Sequence, residues 1–165
     1  MARDTLKLLA GRIGARLKKR NLRLATAESC TGGWIAQAVT SVSGSSGWFD
    51  RGFVTYSDEA KKELLGVRKR TLSRHGAVSR ETAEEMAAGA LARSRAQVSI
   101  AVTGVAGPTG GTRAKPVGTV CFAWSRKRGA IDSDTRHFRG GRDKVRRQSV
   151  EFALKGLLER LEETG

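Results

Sequence analysis

The chain has 165 residues, of which 39% are hydrophobic and 28% charged, with a formal net charge of +15. This size and mixture fit one soluble domain spanning residues 1–165, and the lack of a long apolar run excludes a membrane-spanning helix. The charge favours anionic partners, from phosphorylated metabolites to nucleic acid, but no alternation of aromatic and basic residues suggests a single-strand platform.

Taken in order, Leu6, Leu9, Ala10, Ile13 and Leu17 repeat at helical spacing with cations between them, which predicts an amphipathic first helix ended by Asn21. Leu22–Thr26 reads as a strand, and a second helical stripe starts near Trp34. The run Ser43-Gly44-Ser45-Ser46-Gly47 breaks that helix before a second strand, Arg51–Tyr56. Ser57 or Asp58 caps a short helix from Glu59 to Leu65, closed by Gly66, and Ser79 caps a longer one. Gln97–Thr103 is a strand, and a loop rich in Gly and Pro runs from Gly104 to Pro116. Val117–Trp124 is a further strand and Ala130–Phe138 a polar edge strand. The last helix begins after Gly140-Gly141. This order predicts an α/β class: a layered α/β/α single domain with a mixed, partly parallel sheet.

Ligands in such sheets lie beyond the C-terminal ends of strands. Three strand ends should meet there, carrying Ser29, Tyr56 and Thr103-Gly104. Ser29 and Cys30 sit on a strand-to-helix turn. Behind them, Thr31, Gly32 and Gly33 open a helix whose free N–H groups and dipole suit an anion. A nucleophile beside an anion hole is what acyl transfer needs, although Ser29 could equally serve as a helix cap. Serine requires a base. His75 and His137 lie in contexts that suit surface residues, whereas Lys61, one turn into its helix, can point back toward the strand ends. Lys61 would have to lose its proton through burial or nearby positive charge. Cys30 competes as a nucleophile, and small buried thiols are common in cores.

Two cysteines are too few for a disulfide scaffold, and no cluster has metal-ligand spacing, so neither metal nor cofactor is expected. The start, Met1-Ala2-Arg3-Asp4-Thr5-Leu6, lacks a secretory signal, so a cytoplasmic location is expected. The glycine-rich loop from Thr103 to Gly111 lacks the order of an ATP or dinucleotide site. Cations outnumber acids from Arg126 to Arg147, and Arg142 and Arg146 share a helix face that could grip a phosphate.

Together, these stretches resemble the C-terminal domain family of the competence/damage-inducible protein CinA, and more narrowly its stand-alone nicotinamide-nucleotide amidohydrolases. The resemblance rests on Thr26-Ala27-Glu28-Ser29-Cys30-Thr31-Gly32-Gly33, Gly44-Ser45-Ser46, Gly52–Ser57 with Glu59-Ala60-Lys61, and Leu65-Gly66-Val67. It continues through His75–Ser79, Thr103–Pro108 with Gly110-Gly111, and Lys115–Val120. It implies hydrolysis of the carboxamide of nicotinamide mononucleotide (NMN) to nicotinic acid mononucleotide and ammonia. Ser29 matches the nucleophile, Lys61 the base and Tyr56 an assisting tyrosine. Cys30, Thr31, Gly32, Gly33, Ser46, Thr103, Gly104, Ala106, Gly107, Arg142 and Arg146 fall in its substrate-binding segments. Asp58 stands where the family usually has asparagine and Thr109 where it usually has aspartate; Asp58 should raise the lysine pKa. A homodimer is the default assembly. The alternative is a basic nucleic-acid-binding or accessory domain with a vestigial pocket, which the charge favours and the absence of a reading motif opposes.

Overall fold

A computed structural model describes residues 2–163, with side chains from Thr5 onward. The basic stretch Met1-Ala2-Arg3-Asp4 therefore lies outside the described side chains. Its elements are α1 (Ala2–Lys19), β1 (Leu24–Glu28), α2 (Trp34–Thr40), β2 (Phe49–Val54), α3 (Asp58–Leu65), α4 (Lys69–His75) and α5 (Arg80–Ala92). They continue with β3 (Val98–Gly104), β4 (Thr119–Arg126), β5 (Ile131–His137) and α6 (Arg142–Glu163). The strands form one sheet in the order β2-β1-β3-β4-β5. The first three are parallel, while β4 and β5 run antiparallel. The expected mixed sheet is thus present, with β5 at one edge.

Helices cover both faces because each strand of the interior alternates side chains between two cores. One core joins α1, α2 and α6 to Leu24, Ile100, Val102, Val120, Phe122 and Trp124. The other joins α3 and α5 to Ala25, Ala27, Ala101, Cys121 and Ala123. The apolar stripe of α1 is wholly buried, and Asn21 closes that helix in the left-handed region at φ 56°.

Helix ends follow their capping chemistry. Ser57 Oγ accepts from Ala60 N–H at 3.0 Å to start α3, and Gly66, at φ 69°, ends it. Ser79 does the same for α5 through Thr82 N–H. Some expectations need correction, among them the strand after the glycine-rich loop, which is Thr119–Arg126 rather than Val117–Trp124 because Val117 and Gly118 form the turn before it. The first strand is Leu24–Glu28 rather than Leu22–Thr26, because Leu22 and Arg23 still belong to the turn out of α1. The second is Phe49–Val54, displaced toward the N-terminus by pairing with β1. The segment Lys69–His75 is helical and was not foreseen, because it buries only Thr71 and shows no apolar stripe. No helix among the described residues is long and apolar enough to cross a membrane.

Candidate active site

The C-terminal ends of β1, β2 and β3 lie side by side. Thr55 N–H donates to the Glu28 carbonyl at 2.8 Å and Ser29 N–H to the Val102 carbonyl at 3.0 Å, which clamps the turn after β1 between its neighbours. Alternation along β1 sends Glu28 to the α2 side and Ser29 to the α3 side. There Ser29, 7% exposed, meets Lys61 from the first turn of α3.

Lys61 is 1% exposed, and Nζ has three partners: Ser29 Oγ at 2.9 Å, the Thr55 carbonyl at 3.0 Å and the Tyr56 carbonyl at 3.1 Å. Burial pushes its pKa below the ordinary lysine value, while the charge of Asp58 opposes that shift. Two of the three partners are carbonyls, which can only accept. They hold two N–H bonds and leave the third tetrahedral direction aimed at the serine oxygen. An amine held this way can present its lone pair to the hydroxyl.

Tyr56 reaches this centre through its backbone. Its phenol is not at the lysine: the side chain is 62% exposed and its hydroxyl accepts from Arg142 Nη2 at 3.2 Å. Cys30 points the other way, into the core under α2 and α6, and burial pushes its thiol up to about 12. At neutral pH it is a protonated packing residue.

The helix N-terminus behind the serine is already filled. Glu28, 1% exposed, accepts from Thr31 Oγ1 at 2.6 Å, Ile35 N–H at 2.8 Å and Ala36 N–H at 3.1 Å, and Gly33 N–H also supports it. Burial outweighs these bonds and raises its pKa above the ordinary carboxylate value. Gly32 N–H donates to the Ser29 carbonyl at 3.1 Å. Gly32 and Gly33 are therefore corrected as anion donors: they shape the turn, at φ 60° and 104°, with their N–H groups engaged. Among the described residues, the N–H groups of Cys30 and Thr31 donate to no other residue.

The two arginines both reach this end of the sheet, by different routes. Arg142 bridges two loops, donating Nη1 to the Gly107 carbonyl at 2.8 Å as well as Nη2 to Tyr56 Oη at 3.2 Å. Arg146 spends Nε and Nη2 on the carbonyls of Cys30 and Thr31. The loop from Thr103 also serves the fold. Thr103 Oγ1 donates to the Ala77 carbonyl at 2.9 Å, Gly104 pairs with Val120, and Ala106 is buried in the larger core. Its backbone, at Gly107 above all, is what faces the arginine.

Ser46 is not brought to this place. It is exposed in the turn Ser45–Gly47 that precedes β2, so it lies beside the start of β1, the opposite end of the sheet. Its assignment to the substrate site is corrected on that ground within the chain. His75 faces Glu81 at 3.5 Å, and His137 pairs with Thr119 on the edge strand; both are exposed and neither meets Ser29. Among the described residues, no group of His, Cys, Asp and Glu is arranged to hold a metal ion.

Glu28 is the residue whose place in this turn sequence reasoning missed: it fills the start of α2 behind Ser29. Its only signal was a lone acid closing an apolar strand before a small-residue turn.

Comparison with known proteins bears on this geometry. A family model described as the CinA C-terminal domain matches residues 6–161. The chain is similar to the nicotinamide-nucleotide amidohydrolase PncC of Escherichia coli (strain K12), with 50% identity over 157 residues, 95% of each chain. It is 51% identical over 156 residues to the protein of the same name from Pseudomonas putida, covering 94% of this chain and 97% of that one. Among solved structures, the competence/damage inducible protein CihA from Agrobacterium tumefaciens superposes with a TM-score of 0.92 at 47% identity, covering 96% of each.

Proposed function

Because this chain belongs to the CinA C-terminal domain family, we propose that it is an amidohydrolase acting in pyridine nucleotide salvage, converting NMN and water to nicotinic acid mononucleotide and ammonia. The relatives named for that reaction match it over nearly their whole length. The single observation that carries the chemistry is the buried contact of 2.9 Å between Lys61 Nζ and Ser29 Oγ.

In this reading Lys61 acts as the neutral amine. Its two N–H groups stay on the carbonyls of Thr55 and Tyr56, and its lone pair takes the hydroxyl proton as Ser29 Oγ attacks the carboxamide carbon. The C–O bond forms and the carbonyl electron pair moves to oxygen. The N–H of Cys30, next to Ser29 and bonded to no other residue, is the donor assigned to that oxyanion in this reading. Lys61 then returns its proton to the amide nitrogen, the C–N bond breaks, and ammonia leaves an acyl-serine. Water attacks next, giving up a proton to Lys61, and as the second tetrahedral species collapses Lys61 passes that proton to the departing Ser29 Oγ, which restores the hydroxyl and the neutral amine and releases the acid. In this reading Arg142, exposed between Tyr56 and Gly107, meets the substrate phosphate.

Ammonia release from NMN by the purified protein tests the function. Stoichiometric ammonia and nicotinic acid mononucleotide are expected; binding of NMN without turnover would contradict it.

A further inference from the structure

Sequence spacing pairs Arg146 with Arg142 as a phosphate grip, yet its guanidinium is turned to the back of the nucleophile turn. Nε donates to the Cys30 carbonyl at 3.1 Å and Nη2 to the Thr31 carbonyl at 3.2 Å. The same group lies 5.6 Å from the centre of the Trp34 ring, a cation–π contact that fixes its tilt.

Peptide planarity gives these bonds a consequence. In a trans peptide the N–H points opposite the C=O of the same plane. The Cys30 carbonyl shares its plane with Thr31 N–H. A guanidinium holding that carbonyl therefore turns Thr31 N–H to the other side, away from α6. The neighbouring plane, Thr31 C=O with Gly32 N–H, has further ties: Gly32 donates to the Ser29 carbonyl, and the Thr31 carbonyl also accepts from Trp34 N–H at 3.0 Å. Among the described residues, Arg146 is the only group bonded to the Cys30 carbonyl. The peptide that follows the Cys30 N–H donor thus depends on one side chain from α6.

We propose that Arg146 is a positioning residue for the oxyanion site: it fixes the Cys30–Thr31 peptide, and with it the turn from which Cys30 N–H would hold the tetrahedral oxyanion, Thr31 itself being fully buried. Its charge lies close enough to favour an anion at Cys30 and should favour one beside that residue as well. The inference rests on the amide-hydrolysis reading, and it removes Arg146 from phosphate recognition.

Arg146→Ala and Arg146→Lys are assayed on NMN and on nicotinamide riboside, which lacks the phosphate, with Arg142→Ala beside them. Arg146→Ala should lower kcat by about 10²-fold on both substrates with KM little changed, the loss typical of one misplaced oxyanion donor. Arg146→Lys keeps the charge without the two-pronged fork and should recover only part of the rate. Arg142→Ala should instead raise KM for NMN alone. If Arg146→Ala raised KM for NMN and spared both kcat and the riboside, Arg146 would be a phosphate reader and the proposal would fall.

A second readout does not need amide turnover. Labelling of Ser29 by a fluorophosphonate, followed by mass spectrometry, creates a P–O charge that uses the same donors. Its rate should drop about 10²-fold in Arg146→Ala at an unchanged thermal midpoint. Should the native protein release no ammonia from either substrate, the amidase reading fails while labelling still judges Arg146. If Arg146→Ala does not fold, Arg146→Lys decides: native kcat and labelling rates there overturn the proposal.

Discussion

The two faces of the sheet are built to different ends. Toward α1, α2 and α6 the strands present Leu24, Ile100, Val102, Val120, Phe122 and Trp124, and Phe122 and Trp124 pack with Phe152 at ring distances of 4.7 and 6.0 Å. Toward α3 and α5 they present Ala25, Ala27, Ala101, Cys121 and Ala123. Small side chains let helices settle close. On that side a Cβ at Gly89 of α5 would come within 2.0 Å of the Leu65 carbonyl oxygen of α3. The bulky face supplies most of the apolar burial that holds the fold. The small face supplies depth, so that the α3 lysine is buried against a serine. Ser29 and Cys30, adjacent in the chain, fall on opposite faces, and in the proposed mechanism that alternation makes Ser29 the nucleophile.

The sharpest way to break this contrast is to exchange the two neighbours' fates. Ser29→Ala should cut ammonia release by roughly 10³-fold or more. Cys30→Ala should keep most of it, since its thiol is buried, protonated and turned into the larger core. The reverse pattern would reassign the nucleophile. Lys61→Met and Lys61→Arg come next, each expected to lose about 10²–10⁴-fold, because neither can accept a proton at workable pH. Circular dichroism should show both folded.

Stability effects should separate the faces again. Gly89→Ala forces α5 from α3 and should cost about 1–3 kcal/mol, with kcat falling as the Lys61–Ser29 contact loosens. Leu154→Ala, in the larger core, should cost about 2–5 kcal/mol yet leave kcat/KM per folded molecule nearly unchanged. Thermal melts paired with active-site titration measure both. The smallest expected effect is at Asp58, whose charge holds the Lys61 pKa up. In the proposed mechanism activity needs the neutral amine, so it should rise with pH through that pKa. Asp58→Asn lowers the pKa further and should move the rising limb to lower pH.

What the sequence made legible, and what it hid, follows the same physics. The apolar stripe of α1 and the caps at Ser57, Gly66 and Ser79 are local signals, and they stand in the fold as read. The meeting of three strand ends was inferable from parallel topology. Hidden features depend on backbone atoms or distant partners. The carbonyls of Thr55 and Tyr56 that orient Lys61 have no side-chain signature. Glu28 caps α2 from five to eight residues upstream, outside any capping box, and so occupies donors that Gly33 would otherwise offer. Arg142 and Arg146 share a face, as spacing predicts, but what each guanidinium touches is set by elements more than a hundred residues away in the case of Arg146. Ser46 carried a motif but stands at the wrong end: its turn precedes β2 and so adjoins the N-terminal ends of the parallel strands, whereas Ser29 follows β1 at the other end.

The most direct test of the Ser29–Lys61 pair is kcat/KM for ammonia release from NMN, measured against pH. The native protein should show a rising limb below the ordinary lysine range, kept in His75→Gln and His137→Gln and abolished with activity in Lys61→Met. A limb that disappears in either histidine variant but persists in Lys61→Met would contradict the account.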